Sequence, residues 1–113
     1  MAHERTIQEA ARLTGLSLHT LRYYERVGLI DPIQKADSGH RRYMARDIAW
    51  IEFLTRLRAT GMPIRRMQEF AELRRKGEST YQARRLLLEE HKRTIAREIE
   101  ELILLVTSTA GTG

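Results

Sequence analysis

The residues best equipped for chemistry in this chain are crowded between Leu18 and Tyr43. A short stretch carries Ser17, His19, Thr20, Arg22, Tyr23, Tyr24 and Arg26, and after Gly28 a turn-rich segment ends in His40, Arg41, Arg42 and Tyr43. Guanidinium groups hold phosphate oxygens and guanine edges through paired N–H donors, while aromatic rings and hydroxyls contact sugars, bases and phosphates. That chemistry is recognition of a polyanion. Catalytic chemistry has no matching residues: the chain has no Ser-His-Asp arrangement, no paired carboxylates at working spacing and no glycine-rich phosphate loop after a strand. No catalytic residue is therefore assigned and no enzyme is expected. Cysteine is absent, which removes disulfides and thiolate metal sites, and His3, His19, His40 and His91 lie at no ligand spacing on a common element. Neither a metal nor a cofactor is expected.

The chain has 113 residues, 42% of them hydrophobic and 31% charged, enough for one compact domain and an arm. Its 20 Lys and Arg outnumber 15 Asp and Glu, giving +5. The excess is uneven, with 9 basic against 4 acidic residues over 51–85 but 3 against 5 over 86–113. A basic middle favours a nucleic-acid partner. No apolar run approaches the roughly 20 residues needed to cross a bilayer, and Glu4, Arg5, Glu9 and Arg12 break any signal-peptide core. The expectation is a soluble, cytoplasmic protein with no membrane contact.

The surrounding pattern supplies elements to position these side chains. Ile7, Ala10, Ala11 and Leu13 step at helical spacing after Thr6, with Glu9 completing a capping box and Gly15 closing the helix. Ser17 caps a second helix over about Leu18 to Arg26, with Leu18, Leu21 and Val27 or Leu29 turned inward. Two short helices joined by a glycine-containing turn form a helix-turn-helix, and small Ala10 and Ala11 allow close crossing. Of the adjacent Tyr23 and Tyr24, one must turn inward. Pro32, Asp37, Ser38 and Gly39 between Leu29 and Tyr43 read as a turn between two short strands, a β-hairpin wing.

Asp47 or Ala45 opens a longer helix with Ile48, Ile51, Leu54 and Leu57, joined by Trp50 and Phe53, as its buried stripe. Gly61 ends it. Pro63 restarts a helix that buries Ile64, Met67, Phe70, Ala71 and Leu73 while Arg65, Arg66, Arg74 and Arg75 point outward. Gly77 closes that helix and Ser79 caps the last, which runs to about Val106. In it Leu88, Ile95 and Leu102 recur at seven, with Lys92, Ile99 and Val106 near the intervening seam positions. His91 lies beside this seam, as a polar register residue or a solvated ring. A helix of about 27 residues is about 40 Å long, more than so small a domain covers with its own surface. It calls for a partner chain. The expected division is 1–76 for the DNA-binding domain, 79–107 for the dimerisation helix and 108–113 for a disordered tail.

Taken together, TIQEAARLTGLSLHTLRYYERVGLIDP, then SGHRRY, then DIAWIEFLTRLRATGMPI resembles the MerR family of bacterial transcription regulators. The closing helix is similar in kind to that family's antiparallel dimerisation coil. The resemblance implies a mainly α fold: a winged helix-turn-helix followed by a long coiled-coil helix. It implies a homodimer on double-stranded promoter DNA, bending and untwisting an overlong spacer so that RNA polymerase, contacted only indirectly, finds aligned promoter elements. Under it, Thr20, Arg22 and Tyr23 meet bases or phosphates, Tyr24 contacts phosphate or anchors the helix, and Arg41, Arg42 and Tyr43 form the first wing. Arg58, Arg65 and Arg66 around Gly61 face the backbone as a second wing, and Leu88, His91, Lys92, Ile95, Ile99, Leu102 and Val106 lie at the dimer seam. Metal-responsive members carry cysteines that are absent here, and larger members add a ligand-binding domain, so the effector is left unassigned. The alternative is an architectural or excision-type DNA-bending protein without an effector.

Overall fold

The computed structural model describes residues 5–31 and 43–112. Its order is α1 (Ile7–Thr14), α2 (Leu18–Arg26), α3 (Ala45–Ala59), α4 (Ile64–Lys76), a 3₁₀ turn (Glu78–Thr80) and α5 (Tyr81–Thr112). It falls into two compact units that divide between Glu72 and Leu73, inside α4. The fold is mainly helical, and among the described residues the β pairing is one isolated bridge between Arg5 and Tyr43. The expected hairpin, residues 32–42 with its basic end His40, Arg41 and Arg42, lies outside the described residues.

Local chemistry sets the helix ends in the first unit. Thr6 Oγ1 accepts from Glu9 N at 3.2 Å while Glu9 Oε1 accepts from Thr6 N at 3.1 Å, the reciprocal capping box at the start of α1. Gly15 closes α1 by donating to the Ala11 carbonyl. Ser17 Oγ caps α2 by accepting from Thr20 N at 3.0 Å. For α3 the first residue is Ala45, and Asp47 sits inside the first turn, its Oδ2 accepting from Met44 N at 2.8 Å. A carboxylate there also complements the positive end of the helix. Pro63 stands just before α4, and its carbonyl accepts from Met67 N; a missing N–H is harmless at that position.

The core of this unit is built by α1, α2 and α3 with the apolar side of α4. Ala10, Leu21, Leu29, Ile51, Leu54 and Met67 are wholly buried, and Tyr24, Tyr43, Met62, Phe70 and Ala71 nearly so. Each large aliphatic side chain so placed contributes about 1.5 to 3 kcal/mol. Trp50, Phe53 and Phe70 form an aromatic cluster with ring centroids 5.2 to 6.0 Å apart. Two expectations shift. Leu13, placed with the apolar stripe of α1, is 47% exposed, because the short helix buries only the turn around Ala10. Ile48 and Phe53 of α3, like Ile64 and Leu73 of α4, are half-buried rather than core.

In the second unit the last helix differs from its expected bounds at both ends. Ser79 falls within the 3₁₀ turn, and Thr80 takes the structural role, its hydroxyl donating to the carbonyls of Leu73 and Gly77 at 2.6 and 2.8 Å. Gly77, at φ 92° and ψ −161°, occupies backbone space that a side chain would strain. The helix then continues past Val106 to Thr112, 32 residues in all and about 48 Å long. Thr107 and Thr109, expected in a frayed end, instead return their hydroxyls to the carbonyls of Ile103 and Leu105 at 2.9 Å. That back-bonding satisfies the side chains without interrupting the ladder.

Candidate nucleic-acid interface

Helix α2 has two chemically opposite sides. Leu21 and Tyr24 turn into the core, whereas His19, Arg22 and Arg26, three and four residues apart, are exposed along one stripe. Tyr23 lies half-buried beside that stripe, and the Arg26 guanidinium sits 5.5 Å from its ring centroid. This cation–π contact holds a cation and a phenol side by side at the helix surface. Ser17 is occupied as the cap, and its Oγ also lies 3.0 Å from the Thr20 hydroxyl. Ser17 and Thr20 are thus chiefly the geometry of the helix start, with Thr20 half-buried.

The structure decides between the two adjacent tyrosines. Tyr24 is 4% exposed and its ring tilts 50° against that of Tyr23 at 6.2 Å, so Tyr24 anchors α2 while Tyr23 stays accessible. Burial raises the Tyr24 phenol above its ordinary value, the Arg58 guanidinium pulls it down, and Tyr23 adds a smaller upward push. Arg58 itself is exposed and donates through Nη1 to the Met62 carbonyl at 3.2 Å, which fixes it at the α3–α4 turn.

Tyr43 changes role. Expected in the wing, its side chain is 1% exposed, and its backbone exchanges two hydrogen bonds with Arg5 at 2.7 and 2.8 Å. A ring so enclosed cannot reach a groove. A tyrosine carries as much apolar surface as polar, and here the apolar body fills the core. Arg65 is exposed on α4, while Arg66 pairs with Glu69 at 2.6 Å and brings a partly neutralised charge to the surface. Of the arginines expected at DNA, Arg22, Arg26, Arg58 and Arg65 are the exposed ones among the described residues.

Two residues that sequence reading passed over govern how α2 is held. Trp50, counted there only as an apolar stripe residue, donates its indole N–H to the Leu29 carbonyl at 2.8 Å in a buried setting. Gln68 donates its side-chain amide to the Val27 carbonyl at 2.9 Å across 41 residues. No spacing rule marks such a pair, since partner and donor meet only through folding.

On α5 the residues expected at a dimer seam grade from covered to open. Leu88, His91 and Ile95 are half-buried and Lys92 is exposed, while Ile99, Leu102 and Val106 are 52%, 61% and 69% exposed. Among the described residues no group of three or more His, Asp or Glu could hold a metal ion, and no helix is long and apolar enough to cross a membrane.

Comparison with known proteins agrees with this arrangement. Residues 5–74 match the model of the MerR HTH family regulatory proteins, and residues 48–107 match that of the MerR DNA-binding region. The HTH-type transcriptional regulator AdhR of Bacillus subtilis is 44% identical over 90 residues, 79% of this chain and 64% of that protein. The matched stretch thus spans a little under two thirds of that relative. A crystal structure of a MerR family transcriptional regulator from Listeria monocytogenes, 34% identical, covers 96% of this chain and 82% of its own with a TM-score of 0.86. That of HiNmlR, described as a MerR family regulator lacking the sensor domain and bound to promoter DNA, is 29% identical, with coverage of 97% and 87% and a TM-score of 0.83. A family model that matches 5–74 and solved relatives that follow the chain over nearly its whole length settle the lineage: the chain belongs to the MerR family of HTH regulatory proteins.

Proposed function

We propose that this chain is a sequence-specific DNA-binding transcription regulator that works as a homodimer and distorts promoter DNA in response to a signal. The observation that carries the reading is the exposed line of His19, Arg22 and Arg26 on α2, backed by Tyr23 and set on a helix anchored by buried Tyr24. A helix presenting guanidinium groups away from a rigid core suits the major groove, where arginine pairs with guanine O6 and N7. Arg58 and Arg65, exposed around the α3–α4 turn, suit backbone phosphates and fix register without reading bases. His40, Arg41 and Arg42 belong in this reading to a first wing on the phosphates. Leu88, His91, Lys92, Ile95, Ile99, Leu102 and Val106 form the seam of an antiparallel coiled coil, which sets two α2 helices against an inverted repeat. RNA polymerase is a partner only through the altered DNA, and the site of action is the cytoplasm. Support comes from family membership and from the promoter-bound state of HiNmlR.

A competition shift assay tests the assignment of roles. Arg22→Ala weakens binding to the cognate inverted repeat by about 1 to 3 kcal/mol while changing random-duplex binding little, whereas Arg42→Ala weakens both alike. Equal loss on both DNAs for Arg22→Ala removes α2 as the reading element and leaves an architectural DNA-bending protein.

A further inference from the structure

The last turn of α2 leaves carbonyls that the helix ladder does not satisfy. Those of Tyr23, Tyr24 and Glu25 are taken by backbone N–H groups of the following turn, in which Gly28 adopts φ 82°. Two carbonyls further along the path are taken by side chains from elsewhere: Val27 by Gln68 of α4, and Leu29 by Trp50 of α3. The exit of α2 is thereby held at two points, 2.9 and 2.8 Å from their donors, by two different helices. Trp50 is embedded in the aromatic cluster, so its removal would disturb the core. Gln68 is half-buried, on the same helix as Arg65 and Arg66, and one turn further along it.

We infer that Gln68 is a positioning residue for DNA recognition: by holding the Val27 carbonyl it fixes the recognition helix relative to the helix that carries Arg65 and Arg66. This rests on α2 entering a DNA groove as proposed above. The two sets of basic side chains sit on separate elements, and sequence discrimination requires base and phosphate contacts to be made together. The Gln68 bond ties the C-cap of α2 at Val27 directly to α4, whereas the Trp50 bond holds the chain two residues further on, at Leu29, to α3. Tightness on arbitrary DNA depends mainly on the number of phosphates neutralised, which the Gln68 amide does not change.

The test compares three variants of the full chain by fluorescence anisotropy on the cognate inverted repeat and on a random duplex over a range of salt. Gln68→Met keeps length and helix propensity but deletes the donor, and it lowers the cognate-to-random affinity ratio about five- to ten-fold with an unchanged salt slope. Gln68→Glu turns an acceptor toward the carbonyl and lowers the ratio further. Gln68→Lys restores a donor; its added charge raises affinity for both DNAs alike, and the ratio stays within about two-fold of the parent. A second measurement, amide hydrogen exchange without DNA, is expected to quicken over 18–30 in Gln68→Met while α1 stays protected. The inference is overturned if Gln68→Met retains the parental ratio, if Met and Lys variants lose selectivity alike, or if exchange quickens uniformly over 5–31. A parent chain with no preference for the inverted repeat overturns the functional reading itself; a selective parent with an equally selective Gln68→Met overturns only the role of Gln68.

Discussion

Replacing Leu102 by alanine tests whether α5 is the surface on which two copies meet. Leu102 is 61% exposed at a position proposed for the seam, and Leu104, 65% exposed, lies two residues on and so about 200° around the helix. Leucine to alanine removes three carbons, about 2.4 kcal/mol at about 0.8 kcal/mol per buried methylene. Scaled by the 61% still open to a partner, that is about 1.5 kcal/mol per copy and about 3 kcal/mol per dimer. At about 1.4 kcal/mol per decade the dimer dissociation constant rises about a hundred-fold. Leu104→Ala removes the same atoms from the opposite face, and the constant rises by less than about three-fold. Sedimentation equilibrium over a concentration series reads both values, and circular dichroism confirms that helix content is kept, since alanine is the best helix former. Equal weakening by the two variants refutes a directed seam in favour of unspecific association of the LILLV segment. No weakening by Leu102→Ala refutes the dimer helix.

Other consequences concern the first unit. Trp50→Phe keeps a stacking ring but strips the donor from the buried Leu29 carbonyl, and it lowers stability by about 2 kcal/mol in thermal melts at fixed protein concentration; a change below about 0.5 kcal/mol would show that this bond is dispensable. Thr6→Ala breaks one half of the capping box and costs about 1 kcal/mol in the same melts, with no change in selectivity between DNAs. The Tyr24 phenol is raised by burial, so the neutral ring belongs to the folded state. Its contribution is fully present below the unfolded value of 10.0 and is lost as pH rises through the folded one, and Tyr24→Phe flattens this alkaline decline in denaturation midpoints. An identical decline in the variant would assign the alkaline loss to other groups.

The helix-turn-helix was legible in residue types because its signals are local. Thr6 with Glu9, Ser17 and Gly15 act within one turn of where they stand, and apolar steps of three and four mark the buried sides of α3 and α4 whatever they pack against. The basic and aromatic residues of α2 stood out by type; that His19, Arg22 and Arg26 share one exposed face is what the folded helix shows. Tyr24 stands three residues after inward-facing Leu21, a spacing that favours it over Tyr23 for the buried face, and the packing of α2 on the core shows how fully it is enclosed, at 4% exposed. Folding alone decided the rest. Tyr43 went to the core because Arg5, 38 positions earlier, pairs with its backbone. The length of α5 was underestimated because threonines near its end, poor helix formers by propensity, bond back to carbonyls one turn away. Gln68 and Trp50 could not have been read as the holders of the α2 exit, because a hydrogen bond across 41 or 21 residues depends on where three helices come to rest. The order of residues determined which helices form, where the first two begin and which charges they present; the packing of those helices decided which of the same side chains meet the solvent and which hold the others in place.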